Sequence, residues 1–177
     1  MRDKAFSLVL ILFVSVVFSG FANAHPEEDQ NFKNQHIGVD FPVGWGDYET
    51  GEVEFRVLYP AMEDGQGEAI AGNGPFPFTV FFGDDGEDRS DYMILAGEIV
   101  KRGTIVIVSN GFESDETTQI EDTMSILEGI ITFMNETNQS NVVIPAAFGN
   151  IDLNHWGVSG HGTGAAVAYS LFPFWQE

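Results

Sequence analysis

IDLNHWGVSGHGTG, residues 151–164, is the stretch that decides the fold. Ile151 to Asn154 leads into a strand over His155–Ser159. The run Gly160–Gly164 then turns the chain sharply, and Ala165–Leu171 begins a helix. A buried strand, a glycine turn and a helix in that order is the building unit of an α/β sheet. Working outward, Thr104–Ser109 is an unbroken apolar run and reads as a strand buried on both faces. Phe78–Phe82, after Pro75 and Pro77 and before Gly83, reads the same way. Between these two, Asp88 or Ser90 caps a helix running to Lys101, with Tyr92, Leu95, Ala96 and Ile99 inward and Gly103 as its stop. Gln119–Asn135 shows helical spacing through Ile120, Met124, Leu127, Ile131 and Met134, the methionines serving as core filler. Upstream, Glu52–Tyr59 alternates apolar and polar residues as a half-buried strand does, Pro60 ends it, and Ala61–Gly74 reads as an exposed loop. The pattern predicts a three-layer α/β sandwich with a mostly parallel sheet. Phe78–Phe82, Thr104–Ser109 and His155–Ser159 are its central strands, and no internal repeat is visible.

Composition narrows the function classes. The chain has 177 residues, 7 Lys+Arg against 27 Asp+Glu, a net charge of −20 and no cysteine. Such a charge repels nucleic acid and anionic lipid. The absence of cysteine removes disulfides, cysteine-ligated zinc and thiol nucleophiles. At the N-terminus, Arg2 and Lys4 precede an apolar run, and Ala22-Asn23-Ala24 follows it. That is the layout of a secretory signal peptide cleaved after Ala24. The expected organisation is therefore a signal peptide over 1–24, an acidic leader over 25–48, and the α/β domain over 49–177. The protein is expected to be exported, with no membrane span left after cleavage. Export makes Asn135-Glu136-Thr137 and Asn138-Gln139-Ser140 matches to the glycosylation acceptor pattern.

From Val53 to Ala168 the chain resembles the N-terminal half of secreted α/β-hydrolases of the dienelactone-hydrolase and cutinase-like kind, which include polyester hydrolases and platelet-activating-factor acetylhydrolases. Phe55–Pro60, Gly74–Phe82, Leu95–Val108 with its KRGTIVIV, and above all Ile151–Gly164 carry the resemblance. In that family the last strand runs into a nucleophile elbow, G-H-S-x-G, whose serine sits on a strained strand-to-helix turn. Here Gly160, His161 and Gly164 match. Gly162 stands at the serine position, so the turn keeps its shape and lacks an attacking oxygen.

The resemblance implies oxyanion donors from Thr163, next to the nucleophile position, and from the turn after Phe78–Phe82. That turn is Gly83-Asp84-Asp85-Gly86, and carboxylates there are expected to oppose a developing oxyanion. Ser159 is the alternative nucleophile by proximity, three residues before the apex, and Thr163 lies one residue too late. The family's acid and histidine follow the elbow, whereas His25, His36, His155 and His161 all precede it or lie in it. No intact catalytic set is present, and neither a metal cluster nor a cofactor is called for. The expected function is that of a secreted ester hydrolase in lineage, degenerate or truncated and inactive as written. The alternatives are a non-catalytic α/β binding or interaction domain and, from Gly160-His-Gly162-Thr-Gly-Ala165, a nucleotide-binding turn. Expected partners are a small ester or lipid-like ligand and a second chain over the unpaired edge of the elbow strand, near Phe172, Phe174 and Trp175. The acidic clusters predict a melting temperature that rises with salt. If like-charged neighbours raise carboxylate pKa values, it also rises as pH falls from 7 toward 5.

Overall fold

The structure is a computed structural model and describes residues 40–51, 53–109, 116–140, 143, 144, 147 and 149–171. The signal-peptide and leader expectations up to residue 39, His25 and His36 among them, lie outside the described residues, as do Phe172, Phe174 and Trp175.

Six strands form one sheet: β1 Val43–Thr50, β2 Val53–Pro60, β3 Gly65–Gln66, β4 Phe76–Phe82, β5 Ile105–Ser109 and β6 Ile151–Gly160, in the order β3-β1-β2-β5-β4-β6. The helices are α1 Met93–Val100, α2 Glu116–Gln139 and α3 Thr163–Ser170, with a 3-10 turn over Arg89–Tyr92 before α1. β4 runs parallel to β5 and β6. β1 with β2, and β2 with β5, are antiparallel. The sheet is therefore mixed, parallel in the half that carries the glycine turn and mainly antiparallel in the other, where the short β3 runs parallel to β1.

Strand alternation sends side chains to opposite faces, and the two faces have separate cores. Phe76, Phe78, Val80 and Phe82 of β4 pack with Phe55, Val57, Ile105 and Ile107. They lie under Leu127, Ile130, Phe133 and Met134 of α2 and Val167 of α3. On the other face, Phe81, Leu58, Val106 and Val108 meet Tyr92, Ala96 and Val100. This is the expected three-layer sandwich, with two helices on one side and α1 on the other. The first core is rich in rings: Phe55 meets Phe133 edge-on at 4.9 Å, and Phe78 stacks on Trp156 at 5.8 Å.

The three expected strands are present, each longer or shorter by a few residues; β4 and β5 are central as expected, whereas β6 is the edge strand of the described sheet and pairs only with β4. Two other readings need correction. The boundary drawn between a leader over 25–48 and a domain from 49 falls inside β1, which pairs with β2 along its whole length. The loop Ala61–Gly74 is tied down at both ends: β3 pairs with β1, Ala61 bridges to Ile70, and Ile70 and Ala71 are buried. Pro77, which has no N–H to give a ladder, sits in β4 where the pairing with β6 jumps from Phe76–Ile151 to Phe78–Trp156. The extra β6 residues of that jump hold a local pair, His155 Nδ1 at 2.7 Å from Asp152 Oδ2.

Candidate functional site

Phe82 is level with Ser109 on one side and Gly160 on the other, so the carboxyl ends of β5, β4 and β6 finish together. Ligand sites of open α/β sheets form in the crevice at these ends. Two turns meet there: Gly83–Gly86 after β4 and the elbow after β6.

The elbow is built by close backbone approach. A Cβ on Gly160 would stand 2.5 Å from the Gly164 carbonyl carbon, and one on Gly164 would land on the carbonyl oxygens of Phe82 and Gly83. Only hydrogen fits at either position, so β6, α3 and the end of β4 are locked together. His161 N–H donates to the Phe82 carbonyl at 3.0 Å, and Ala165 and Ala166 N–H close the first turn of α3 onto Gly162. Gly162, at the apex, has φ +53° and ψ −122°, a conformation side chains rarely adopt. The turn is a sharp strand-to-helix corner, with a glycine at its apex.

The Asp84 carboxyl group fills the vacant side-chain space. A Cβ built on Gly162 would fall on Asp84 Cγ and both of its oxygens. Asp84 Oδ1 accepts from Thr163 N–H at 2.8 Å and from Asp85 N–H at 2.9 Å. These are the N–H beyond the elbow apex and one from the turn after β4, the two sources from which a hydrolase draws its oxyanion donors. The Asp84 N–H donates to Tyr92 Oη at 2.7 Å, and that oxygen lies 3.4 Å from His161 Nδ1. The Thr163 N–H, then the Asp85 N–H, hold the Asp84 carboxyl below its ordinary value of 3.8. Burial pushes the Tyr92 phenol up, so around neutral pH the pair is a carboxylate and a neutral phenol.

The sequence-predicted residues divide on this geometry. Asp84, Asp85, Gly162 and Thr163 converge, with Gly160 and Gly164 framing them. The relation expected between Asp84 and the oxyanion site was repulsion of a developing charge. Instead Asp84 is itself the anion that occupies those donors. Ser159 is elsewhere: its hydroxyl is 3.1 Å from Thr79 Oγ1, across the β4–β6 ladder and short of the turn. His161 is exposed at the elbow beside the Tyr92 ring. His155 sits five residues before Gly160, roughly 16 Å along the strand. Among the described residues, no group of three or more histidine or acidic side chains is placed to hold a metal. The sequence reading missed two contributors. Tyr92 was read only as an inward helix residue. Ser109 was read only as strand, yet its buried hydroxyl at the sheet end finds no partner among the described residues. The acceptor-like tripeptides run through the last turns of α2 to Ser140, just past its end. There Thr137 is fully buried and Asn138 Oδ1 accepts from Ile151 N–H at 3.0 Å, while Asn135 is exposed on the helix.

The expected rise in stability on acidification required raised carboxylate pKa values, and the resolved shifts have the opposite sign. Asp47 is lowered by its bond from Arg56, Asp84 by Thr163 N–H, Asp88 by Ser90 N–H and Glu98 by Lys101. Several of the clustered carboxylates act as acceptors for backbone N–H, Asp64 taking that of Val43 at 2.7 Å.

No protein-family model and no curated protein matches the chain. Among solved structures it is similar to the ferulic acid esterase from Streptomyces cinnamoneus, with TM-score 0.58 and 11% identity over 78% of this chain and 56% of that one. It is also similar to the structure described as DphMB1, with TM-score 0.50 and 18% identity over 88% of this chain and 49% of that one. At these identities the likeness is one of fold. The fold shared is a mixed α/β sandwich of the α/β-hydrolase-like kind, and the chain spans about half the length of the solved structures it matches. No described helix is long and apolar enough to cross a membrane.

Proposed function

We propose that the protein is an exported α/β-hydrolase-like domain of ester-hydrolase lineage that keeps the nucleophile elbow as a shape and runs no triad chemistry. The observation that carries this reading is the apex of the elbow. Gly162 holds the strained conformation without a nucleophile, and the space a nucleophile would use belongs to the Asp84 carboxyl. A tetrahedral intermediate needs free donors aimed at its oxyanion, and here Thr163 N–H and Asp85 N–H are already spent on Asp84. Likeness to a ferulic acid esterase supports the lineage at the level of fold. What such a domain retains is a crevice for binding: a small ester or lipid-like molecule is the ligand class of the lineage. A second chain along the outer edge of β6 is the partner we propose, since among the described strands β6 pairs only with β4. The same observation disfavours the nucleotide reading of Gly160–Ala165, because the N-terminus of α3 that would receive a pyrophosphate receives a carboxylate.

The test is turnover of a short p-nitrophenyl ester by the purified protein, with fluorophosphonate labelling alongside. Neither turnover above buffer nor label is expected. Turnover that the fluorophosphonate abolishes would overturn the reading. Export is checked separately by N-terminal sequencing of protein recovered outside the cell, which is expected to begin at His25.

A further inference from the structure

We propose that the cradle between the two turns is an anion-binding site filled permanently from within, with Asp84 as its tethered ligand and Gly162 as the residue that makes room for it. Two donors that are far apart in sequence, Thr163 N–H and Asp85 N–H, meet at one acceptor, Asp84 Oδ1, which lies 79 residues before Thr163. Charge-assisted bonds of this kind are the strong ones, and the N-terminal end of α3 adds a favourable field. The backbone of Asp84 is pinned from behind by Tyr92 Oη, so the carboxyl is aimed into the cradle and does not hang from a free loop. A free anion would have to approach a chain of charge −20 and give up its translational freedom. A tethered carboxylate meets neither obstacle to the same degree, because its effective concentration at the donors is high. Any side chain at position 162 and the Asp84 carboxyl exclude one another. The pair Gly162–Asp84 is therefore one feature: a side chain at 162 has to displace the Asp84 carboxyl from the cradle before it can seat. When Asp84 is removed, the ligand class the cradle takes is a small carboxylate.

This inference rests on the reading of Gly162 as an empty nucleophile position, and its test uses binding and stability so that the two fail separately. The probe is sodium formate, compared with chloride at equal ionic strength. At neutral pH Asp84→Ala is expected to lower the melting temperature by roughly 5 °C, through loss of the charge-assisted bonds from Thr163 N–H and Asp85 N–H. Formate is expected to raise the melting temperature of Asp84→Ala above its chloride control and to leave the parent protein where chloride leaves it. No formate-specific rise in the variant, or an equal rise in the parent, overturns the proposal. Should Asp84→Ala not fold, Asp84→Asn keeps an oxygen acceptor without the charge. In the parent the amide proton resonance of Thr163 is expected to follow the titration of the Asp84 carboxyl in acid, and in Asp84→Asn to stay flat through that range. A Thr163 resonance that does not move in the parent overturns the assignment.

Discussion

The elbow at the carboxyl end of β4 and β6 and the ribbon of β1 and β2 at the far side of the sheet are held by different means. At the elbow, backbone lies on backbone: Gly160 against Gly164, Gly164 against the Phe82 and Gly83 carbonyls, and one carboxylate over the apex. On the ribbon, side chains reinforce the backbone ladder. Arg56 lies 4.3 Å over the Trp45 ring and forks onto Asp47 through bonds of 2.8 and 2.7 Å, while Arg89 reaches Asp47 at 3.7 Å and Glu54 at 3.4 Å. Long side chains in partial contact with water can rearrange when one is lost. Carbonyls already fixed by a sheet and a helix cannot. The two regions should therefore answer substitution on different scales.

Gly164→Ala is the hardest test of that contrast. Its methyl group meets the two carbonyl oxygens at the end of β4, and relief requires moving β4 or α3 bodily. A loss of more than about 4 kcal/mol, or failure to fold, is expected in urea denaturation. A loss below 1 kcal/mol, the scale typical of surface sites, would mean that the strand and helix are not locked at this point.

Gly162→Ala comes next and has two separable causes. The positive φ costs any side chain, and the Asp84 carboxyl stands where the Cβ must go. Together a loss of roughly 2–4 kcal/mol is expected. Only the second cause disappears in an Asp84→Gly background, so the double-mutant cycle should show a coupling of about 1–2 kcal/mol. Strict additivity would mean that the carboxyl swings away freely and the cradle is not its fixed place.

These two substitutions also mark how far the fold and site were legible in sequence. The strands β4 and β5 announce themselves, because a strand buried on both faces is a largely apolar run, and β6 is legible from the glycine turn that ends it. The Gly160–Gly164 turn is equally plain, because nothing but glycine tolerates that approach. β1 escaped because two of its positions toward the α2 side of the sheet are Gly44 and Gly46, which have no hydropathy to show. The Tyr59 ring from β2 lies where a Gly44 side chain would go, and Tyr48 does the same at Gly46. The direction of the first strands was hidden for another reason: alternation reveals burial but not whether the neighbour runs parallel. The resemblance implied that Asp84 lies beside the elbow, but not that its carboxyl is bonded there: only the fold sets that oxygen against the N–H of Thr163, 79 residues on.

Acid should separate the regions less sharply than steric substitution, since both contain depressed carboxylates. A carboxyl whose folded pKa lies below its unfolded value contributes stability that is present above the unfolded value and lost as pH falls through the folded one. Asp47, Asp84 and Asp88 all lie below 3.8 for the stated reasons. The melting temperature should therefore change little on account of these groups between pH 7 and 5 and fall once the pH passes below about 4. The fall should be shallower in Asp84→Asn, which has no carboxyl left to protonate there. A melting temperature that climbs steadily into acid would restore like-charge repulsion as the controlling effect.

The smallest expected effect lies on the ribbon. Arg56 contributes through stacking on Trp45 and through its pair with Asp47, and both groups are partly open to water. Exposed pairs of this kind are worth up to about 1 kcal/mol, and a cation over an indole face a similar amount. Arg56→Ala is therefore expected to cost about 1 kcal/mol in urea, well below either glycine substitution. Salt divides the two parts. At 1 M the Debye length is about 3 Å, so the pair with Asp47 is weakened while the flat contact on the indole persists. The gap between parent and Arg56→Ala should narrow at molar salt without closing. Arg56→Lys, which keeps the charge and loses the planar fork, should lie between them at low salt and nearer to Ala at high salt. Meanwhile the parent itself should melt higher in molar salt, because each of the four described basic side chains, Arg56, Arg89, Lys101 and Arg102, is already in an ion pair and the remaining acidic charge is repulsive. If Arg56→Ala matched the parent at every salt concentration, the ribbon would be held by its backbone ladder and packing alone, and the contrast with the elbow would be one of which backbone atoms touch rather than of backbone against side chain.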